Sequence, residues 1–369
     1  MQIADFALER YFARWEFSVR HVLCASDVEP YRLSEILQLA DEDSGRRWEQ
    51  LSLGYTESLG LPALRDEIAA LYTTLSGDDV VTFAGAEEGV FLTMHATLSP
   101  GDHVVVEWPA YQSLHEVARS IGASVTLVPL DPADWSLDVD AVAAAMRPNT
   151  RMIIVNSPHS PTGSQLGADQ LERLAAIAEL HGALLFSDEV YRFLEHSSPR
   201  LPAAADRSVN GVSLGVMSKA FGLAGIRIGW IATRNAQLRR RLASLKDYTT
   251  ICSAAPSEIL ALIGLRKREP IVARAMDIIR SNLARLDDFM EAHADTFEWV
   301  RPRAGSVCFP RLTDGDVDRF AADLVQREGV LLLPASQFGY EGNWFRLGYG
   351  RADMSAALAR LEAFVARVG

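Results

Sequence analysis

Seven short runs of successive apolar residues, spaced by stretches of helical periodicity, do most to limit what this chain can fold into. The runs are Val80–Phe83, His103–Glu107, Val125–Pro129, Arg151–Asn156, Ala183–Ser187, Val212–Val216 and Ile228–Thr233. Strands apolar on successive residues suit burial on both faces, as in a mostly parallel sheet covered by helices. Between them, Leu64, Ile68, Leu71 and Tyr72 share one helical face in Pro62–Tyr72. Leu171, Leu174, Ile177 and Ala178 do the same in Gln170–His181. The alternation predicts an α/β fold: a large domain over residues 46–289 with a mostly parallel seven-stranded sheet between helices. A longer periodic helix follows Pro270, with Val272, Met276, Ile279, Leu283, Leu286 and Met290 on one face. Beyond it, strands near Ser306–Pro310, Val330–Pro334 and Trp344–Tyr349 predict a smaller α+β C-terminal domain, residues 290–369. Residues 1–45 are mixed in character and are expected to form an arm, or part of the small domain, packed on the body or on a neighbouring subunit.

Composition narrows the function classes. The 369 residues are 49% hydrophobic and 23% charged, the balance of an ordinary globular protein. A net charge of −12 argues against nucleic-acid or anionic-membrane binding, which needs a basic patch. No apolar stretch reaches the roughly 20 residues of a spanning helix. Asp5 and Glu9 fall where a secretory signal would be apolar. Cys24, Cys252 and Cys308 match neither disulfide nor metal-ligand spacing, so no metal and a cytoplasmic location are expected. Among 36 basic residues only Lys219, Lys246 and Lys267 are lysines. A chain that uses arginine for charge keeps lysine where it needs an amine, because a guanidinium stays protonated.

Lys219 lies in Ser218-Lys219-Ala220-Phe221-Gly222-Leu223-Ala224-Gly225-Ile226-Arg227. A buried amine is nucleophilic near neutrality and condenses with aldehydes. Arg227 offers a forked donor to phosphate. The alternative is a Gly-rich surface loop with an incidental lysine. Asp188 and Tyr191 follow a predicted buried strand, at the strand end where open α/β sheets bind ligands. There a carboxylate can pair with a protonated ring nitrogen and a hydroxyl with a phenolate oxygen; the alternative is an acidic helix start. Asn156-Ser157-Pro158-His159-Ser160-Pro161-Thr162-Gly163 reads as a rigid binding edge or as a tight turn. Gly85-Ala86-Glu87-Glu88 opens a helix after a strand, which gives either an anion site of free N–H groups or an ordinary turn. His95, His159 and His181 have no paired spacing and read as structural.

Taken in order, with Pro109-Ala110-Tyr111 between the first turn and the Pro-rich loop, these segments resemble fold-type I pyridoxal-phosphate enzymes. The similarity is to the class I and II aminotransferases related to aspartate aminotransferase, and it runs from about Tyr55 to Arg346. It implies pyridoxal 5'-phosphate as cofactor, held by Lys219 as a Schiff base, with the same lysine moving the proton at the substrate Cα. It implies that Asp188 partners the pyridine nitrogen, Tyr191 donates to the phenolate oxygen and Tyr111 stacks on the ring. Gly85, Ala86, Glu87, Ser218 and Arg227 would form the phosphate cup, with Asn156 and Ser160 at the cofactor's edge. Arg346 would clamp the substrate α-carboxylate. Tyr55 would reach the phosphate of a neighbouring subunit, which implies a homodimer.

The implied reaction is amino-group transfer between an amino acid and a 2-oxo acid, in amino acid metabolism or biosynthesis. Elimination, cyclisation, decarboxylation or oxidation on the same cofactor are alternatives, because fold does not fix reaction type. A non-catalytic cofactor-sensing module is another, disfavoured because no DNA-binding domain fits ahead of Tyr55. Two residues depart from the family pattern. Ser160 stands where the family has Asn, and Val216 where it has Ser. The first leaves Tyr191 with weaker help at the phenolate oxygen, which predicts a shifted Schiff-base pKa. Ser26–Glu29 with Lys246–Thr250 resembles the capreomycidine-synthase-like group, which acts on an arginine-derived amino acid. On that reading Asp27 and Glu29 meet a cationic side chain; the plainer reading is solvated carboxylates.

Overall fold

The computed structural model describes residues 2–196 and 199–368. All seven predicted runs are strands of one sheet. Its order is Val80–Phe83, Gly229–Ala232, Gly211–Val216, Leu184–Asp188, Thr150–Asn156, His103–Trp108, Ser124–Asp131. A two-residue strand, Ser136–Leu137, adds antiparallel at the far edge. Gly229–Ala232 is antiparallel to both of its neighbours, and the strands from Gly211–Val216 to Ser124–Asp131 pair in parallel.

The continuous apolar runs serve two cores at once. Successive side chains point to opposite faces. Val104, Val106, Ile154 and Phe186 therefore meet helices Ala86–Thr97, Ser113–Ile121 and Ala236–Lys246. Val105, Ile153, Val155 and Leu185 meet Val139–Ala145 and Ala168–Leu180 on the other face. Each fully buried aliphatic side chain stabilises the fold by roughly 1.5–3 kcal/mol. Because the inner strands run in parallel, Glu107, Asn156, Asp188 and Val216 all come to the carboxyl edge, with Asn156 opposite Asp188 in register.

Two helices differ from expectation. The first ends at Ala69, yet Tyr72 beyond it stays buried, its hydroxyl accepting from Trp230 Nε1 at 2.9 Å. In Arg268–Ala292 the buried stripe begins at Ile271 and Ala275, and Val272 is only half-buried.

Toward the C-terminus, Phe345–Gly348 pairs antiparallel with Val307–Cys308 on one side and Leu333–Pro334 on the other. The N-terminal segment joins this part of the same chain. His21–Val22 pairs in parallel with Val330–Leu331, and helix Ala7–Trp15 buries Leu8 and Phe12 in a cluster with Leu331, Leu333 and Phe338. Among the described residues no helix is long and apolar enough to cross a membrane.

Candidate active site

A cavity of about 520 Å³ opens at the carboxyl edge of the sheet, under the N-terminal segment. Lys219, Asp188, Tyr191, Tyr111, Asn156, Ser160 and Ser218 line it, and so do Ala86, Glu87, Arg227 and Arg346. The sequence-predicted residues therefore converge, with two qualifications: Gly85 borders the cavity through Arg227, and Tyr55 lies elsewhere.

At one end, Gly85 (φ +85°) precedes helix Ala86–Thr97. The neighbouring strand can approach this turn only because residue 229 is glycine. A Cβ there would fall 2.6 Å from the Gly85 carbonyl carbon and 2.7 Å from the Ala86 nitrogen. Arg227, itself left-handed at φ 53°, lays its guanidinium across Gly85 and donates from Nη1 to Ala224 O at 3.1 Å. A forked cation over a helix start is an anion site.

Asp188 occupies the sheet end of the cavity. It is buried, accepts one hydrogen bond from Val190 N at 3.1 Å, and among the described residues has no cation paired with it. Burial pushes its pKa up to about 7; Glu87 adds to the rise, while the Val190 N–H and Lys219 oppose it. Asn156 braces it from behind. Its Nδ2 donates to Asp188 O at 2.8 Å and its Oδ1 accepts from Ser160 N at 2.7 Å, so both ends of the amide are engaged within the chain. Asn156 N in turn donates to Glu107, whose carboxyl burial pushes up to about 8. His159 is structural, as expected. Its Nε2 lies 2.9 Å from Pro109 O, and a carbonyl only accepts, so Nε2 carries the proton and Nδ1 accepts from Thr162 Oγ1 at 2.7 Å. Burial lowers its pKa to about 4, which keeps it neutral as it ties the Pro-rich loop to the segment leading to Tyr111.

The opposite wall comes from the first 30 residues, where the sequence offered no site except Asp27 and Glu29. Lys219 Nζ donates to Ser26 Oγ at 2.7 Å and lies 5.4 Å from the Tyr191 ring centroid. The Tyr191 hydroxyl has no hydrogen-bond partner among the described residues. Arg346 is buried, donates from Nε to Cys24 O at 3.1 Å, and sits 5.7 Å from the ring centroids of Phe12 and Phe338. Among the described residues no carboxylate pairs with it, which leaves its outer nitrogens for a ligand in the cavity. Tyr111 donates to Glu9 at 2.6 Å.

The reading of Asp27 and Glu29 as receptors for a cationic side chain is corrected here. Asp27 is held bidentately by Arg351 at 2.9 and 2.8 Å, and Glu29 accepts from Ala352 N at 2.9 Å. On the strap side of the cavity, the Glu16 carboxylate has no hydrogen-bond or ion-pair partner among the described residues, and its pKa is raised by burial and then by Asp27 and Glu9. Phe12, Glu9 and Glu16 were missed, although Leu8 and Phe12, four apart on helix Ala7–Trp15, were the signal that could have found this wall; Ser26 was named only as part of the Ser26–Glu29 stretch, without a partner. Tyr55 is 89% exposed. With Leu53, Ala84, Arg227 and Ser253 it lines a second, open cavity of about 660 Å³ beyond Arg227.

These groups fit pyridoxal phosphate. Asp188 lacks a cation that a protonated ring nitrogen would supply, and Tyr191 lacks an acceptor that a phenolate oxygen would supply. The Arg227 turn suits a phosphate, and Lys219 brings an amine to the same space.

The family model described as aminotransferase class I and II matches residues 34–361. The chain is 30% identical to capreomycidine synthase of Streptomyces vinaceus, across 98% of this chain and 92% of that protein. It is 32% identical to the arginine–pyruvate transaminase of Pseudomonas aeruginosa, across 77% of this chain and 75% of that one. A pyridoxal-phosphate-dependent aminotransferase from Streptococcus suis superposes with a TM-score of 0.93 at 30% identity, covering 100% of this chain and 99% of that one.

Proposed function

The chain belongs to the class I and II aminotransferase family and is a pyridoxal-phosphate-dependent transaminase, and from that premise we propose how its residues divide the work. Lys219 would hold the cofactor through its aldehyde, and its nitrogen is the base placed to take and return the proton at the substrate Cα. Asp188 holds the protonated ring nitrogen, which offsets the cost of burying a lone carboxylate. Tyr191 would donate to the phenolate oxygen, with Ser160 lining the same cavity in place of the family's amide, and Tyr111 would pack on the ring. Asn156 acts as the brace that fixes Asp188 and Ser160 to each other. The Gly85 turn, the N–H groups of Ala86 and Glu87, Ser218 and Arg227 hold the phosphate. Arg346 orients the substrate through its α-carboxylate, so that Cα–H faces Lys219. Bound pyridoxal phosphate supplies the electron-withdrawing ring that delocalises the charge left when the Cα–H bond breaks.

The observation that carries this reading is the set of unpaired groups around one cavity. Lys219, Arg227 and Arg346 line it without a carboxylate partner, beside a buried Asp188 without a cation. Borohydride reduction of the holoenzyme followed by peptide mapping tests it. The cofactor's mass is expected on Lys219; label on Lys246 or Lys267, or none at all, would overturn the assignment.

A homodimer is the assembly we infer. It is supported by the exposure of Tyr55, Leu53 and Tyr248 (89%, 84% and 87%) near the Arg227 side of the site. Residues 46–289 are read as the cofactor domain and 290–369, with the N-terminal segment, as the small domain. A cytoplasmic location is proposed on the three cysteines, all free, and a place in amino acid biosynthesis on the similarity to amino acid transaminases and capreomycidine synthase.

A second reading has its own support. The overall similarity to capreomycidine synthase, together with an unengaged Glu16 facing the cavity, favours an amino acid with a cationic side chain and admits cyclisation in place of transfer. Product analysis without any oxo acid separates the two: a cyclic product released over many turnovers supports the second reading.

A further inference from the structure

The N-terminal segment Leu23–Tyr31 lies across the cavity as a strap, and it is fastened at both ends. Gly348 N donates to Leu23 O at 2.7 Å and Glu29 N to Gly350 O at 2.9 Å. The strap seats against strand Phe345–Gly348 only because residue 348 is glycine, since a Cβ there would fall 1.9 Å from Ala25 O. At the far end Tyr31 N donates to Gly222 O at 3.2 Å, three residues beyond Lys219. Between these ties the buried Ser306 donates to Ser26 O at 2.8 Å, and Arg351 grips Asp27. Ser26 is therefore fixed from both the small sheet and the lysine's own loop.

We propose that Ser26 is the working partner of Lys219: a rigidly held hydroxyl that keeps the lysine nitrogen in place, as ammonium and as free amine, whenever it is not bonded to the cofactor. The proposal rests on Lys219 being the cofactor's lysine. When the amine takes the proton from the substrate Cα, the C–H electron pair stays on the substrate side and the nitrogen becomes ammonium. Ser26 Oγ then accepts a hydrogen bond from it, as at the observed 2.7 Å. When the nitrogen returns that proton, its lone pair is free, and the Ser26 O–H can rotate and donate to it. Ser26 keeps its own proton throughout, so the contact survives both states with no change of charge. A carboxylate in the same place would hold the lysine as ammonium and spoil it as a base. Among the described residues no carboxylate pairs with Lys219, which is the arrangement this role requires.

The test uses Ser26→Ala, Ser26→Thr and Ser26→Asp. Holoenzyme kinetics are measured as kcat and KM across pH. On the cofactor-free protein, the rate at which trinitrobenzenesulfonate modifies Lys219 is followed across pH by peptide mapping. Loss of one hydrogen bond to a charged group predicts a roughly 10- to 100-fold fall in kcat for Ser26→Ala, with KM nearly unchanged. Ser26→Thr should restore most of it. Ser26→Asp should slow the modification of Lys219 severalfold, because a carboxylate beside the nitrogen favours its ammonium form. If Ser26→Ala leaves kcat and Lys219 reactivity as in the parent protein, the proposal fails. It fails equally if the variants only lower Tm while kcat and the rate of Lys219 modification stay as in the parent protein. The amine-reactivity arm needs no turnover, so a chain that does not transaminate would sink the functional reading without deciding this one.

Discussion

The two walls of the cavity are held in different ways. The sheet wall is fixed by neighbours close in sequence or on adjacent strands: Asp188 by Val190 N, Ser160 by Asn156, and Asn156 by the strand opposite it in register. The strap wall is fixed by partners far along the chain, Lys219 to Ser26, Arg346 to Cys24 and Arg351 to Asp27. Every contact of the first kind is anchored at the carboxyl end of a buried strand, and such strands open only with the whole domain. Those of the second kind seat a segment with one face on the cavity, and such segments open at lower free energy. The sheet wall is thus suited to hold a resident cofactor, and the strap wall to engage a substrate that must come and go.

The largest effect that can break this division is expected at Lys219. Lys219→Ala should lower kcat by about 10³-fold or more, since it removes the base at the Cα. The variant should still bind pyridoxal phosphate, because Arg227, Asp188 and Tyr191 remain; equilibrium dialysis would check this.

Asp188→Asn comes next. Truncating a buried charged partner predicts a loss of roughly 10²- to 10³-fold in kcat/KM. It also carries a pH signature with a definite sign. Asp188's pKa in the folded, cofactor-free protein is raised to about 7. Its stabilising contribution is therefore full below the ordinary carboxylate pKa of about 4 and is lost as pH rises through about 7. Thermal melts of the cofactor-free protein should show the wild type losing Tm over that window relative to Asp188→Asn. Parallel Tm curves would show that burial does not hold this carboxyl neutral.

On the strap, Arg351→Met removes a bidentate but partly exposed pair, worth about 1 kcal/mol. Hydrogen exchange should quicken in Leu23–Tyr31 and stay unchanged in Thr150–Asn156 and Leu184–Asp188. Equal quickening in both would erase the distinction between the walls.

The smallest effect is expected for Ser160→Asn. It gives Tyr191 a stronger neighbour at the phenolate oxygen and should shift the pH midpoint of the bound cofactor's absorbance by less than about one unit. Coincident titration curves would mean that Ser160 does not influence that oxygen.

The same division decides what the sequence could reveal. Strand identity was legible because buried parallel strands need apolar residues at successive positions, and all seven runs form. Asp188, Lys219 and Arg227 were legible because each sits in a short segment whose spacing carries its chemistry. Ser26's partner was not, because its contact is with Lys219, almost 200 positions away, and Glu16 was not, because only the folded chain brings it to the cavity; no local pattern records either placement. Asp27 and Glu29 illustrate the same point in reverse. Their charge was visible, but Arg351 and Ala352 N, which engage them, lie far off at the C-terminal end. Tyr55 was legible as a candidate, yet its chain alone leaves it exposed, so its role rests on a second copy.

The most direct measurement of the central claim is a single turnover of holoenzyme with a donor amino acid and no oxo acid. Arginine-like, acidic and aromatic donors would be taken in turn, with the cofactor's absorbance and the released products both quantified. The account predicts, for at least one donor, one equivalent of 2-oxo acid per Lys219 site and the cofactor left in its aminated form, recharged when an oxo acid is added. A cofactor that stays in its aldehyde form with every donor while a cyclised or eliminated product accumulates would contradict it.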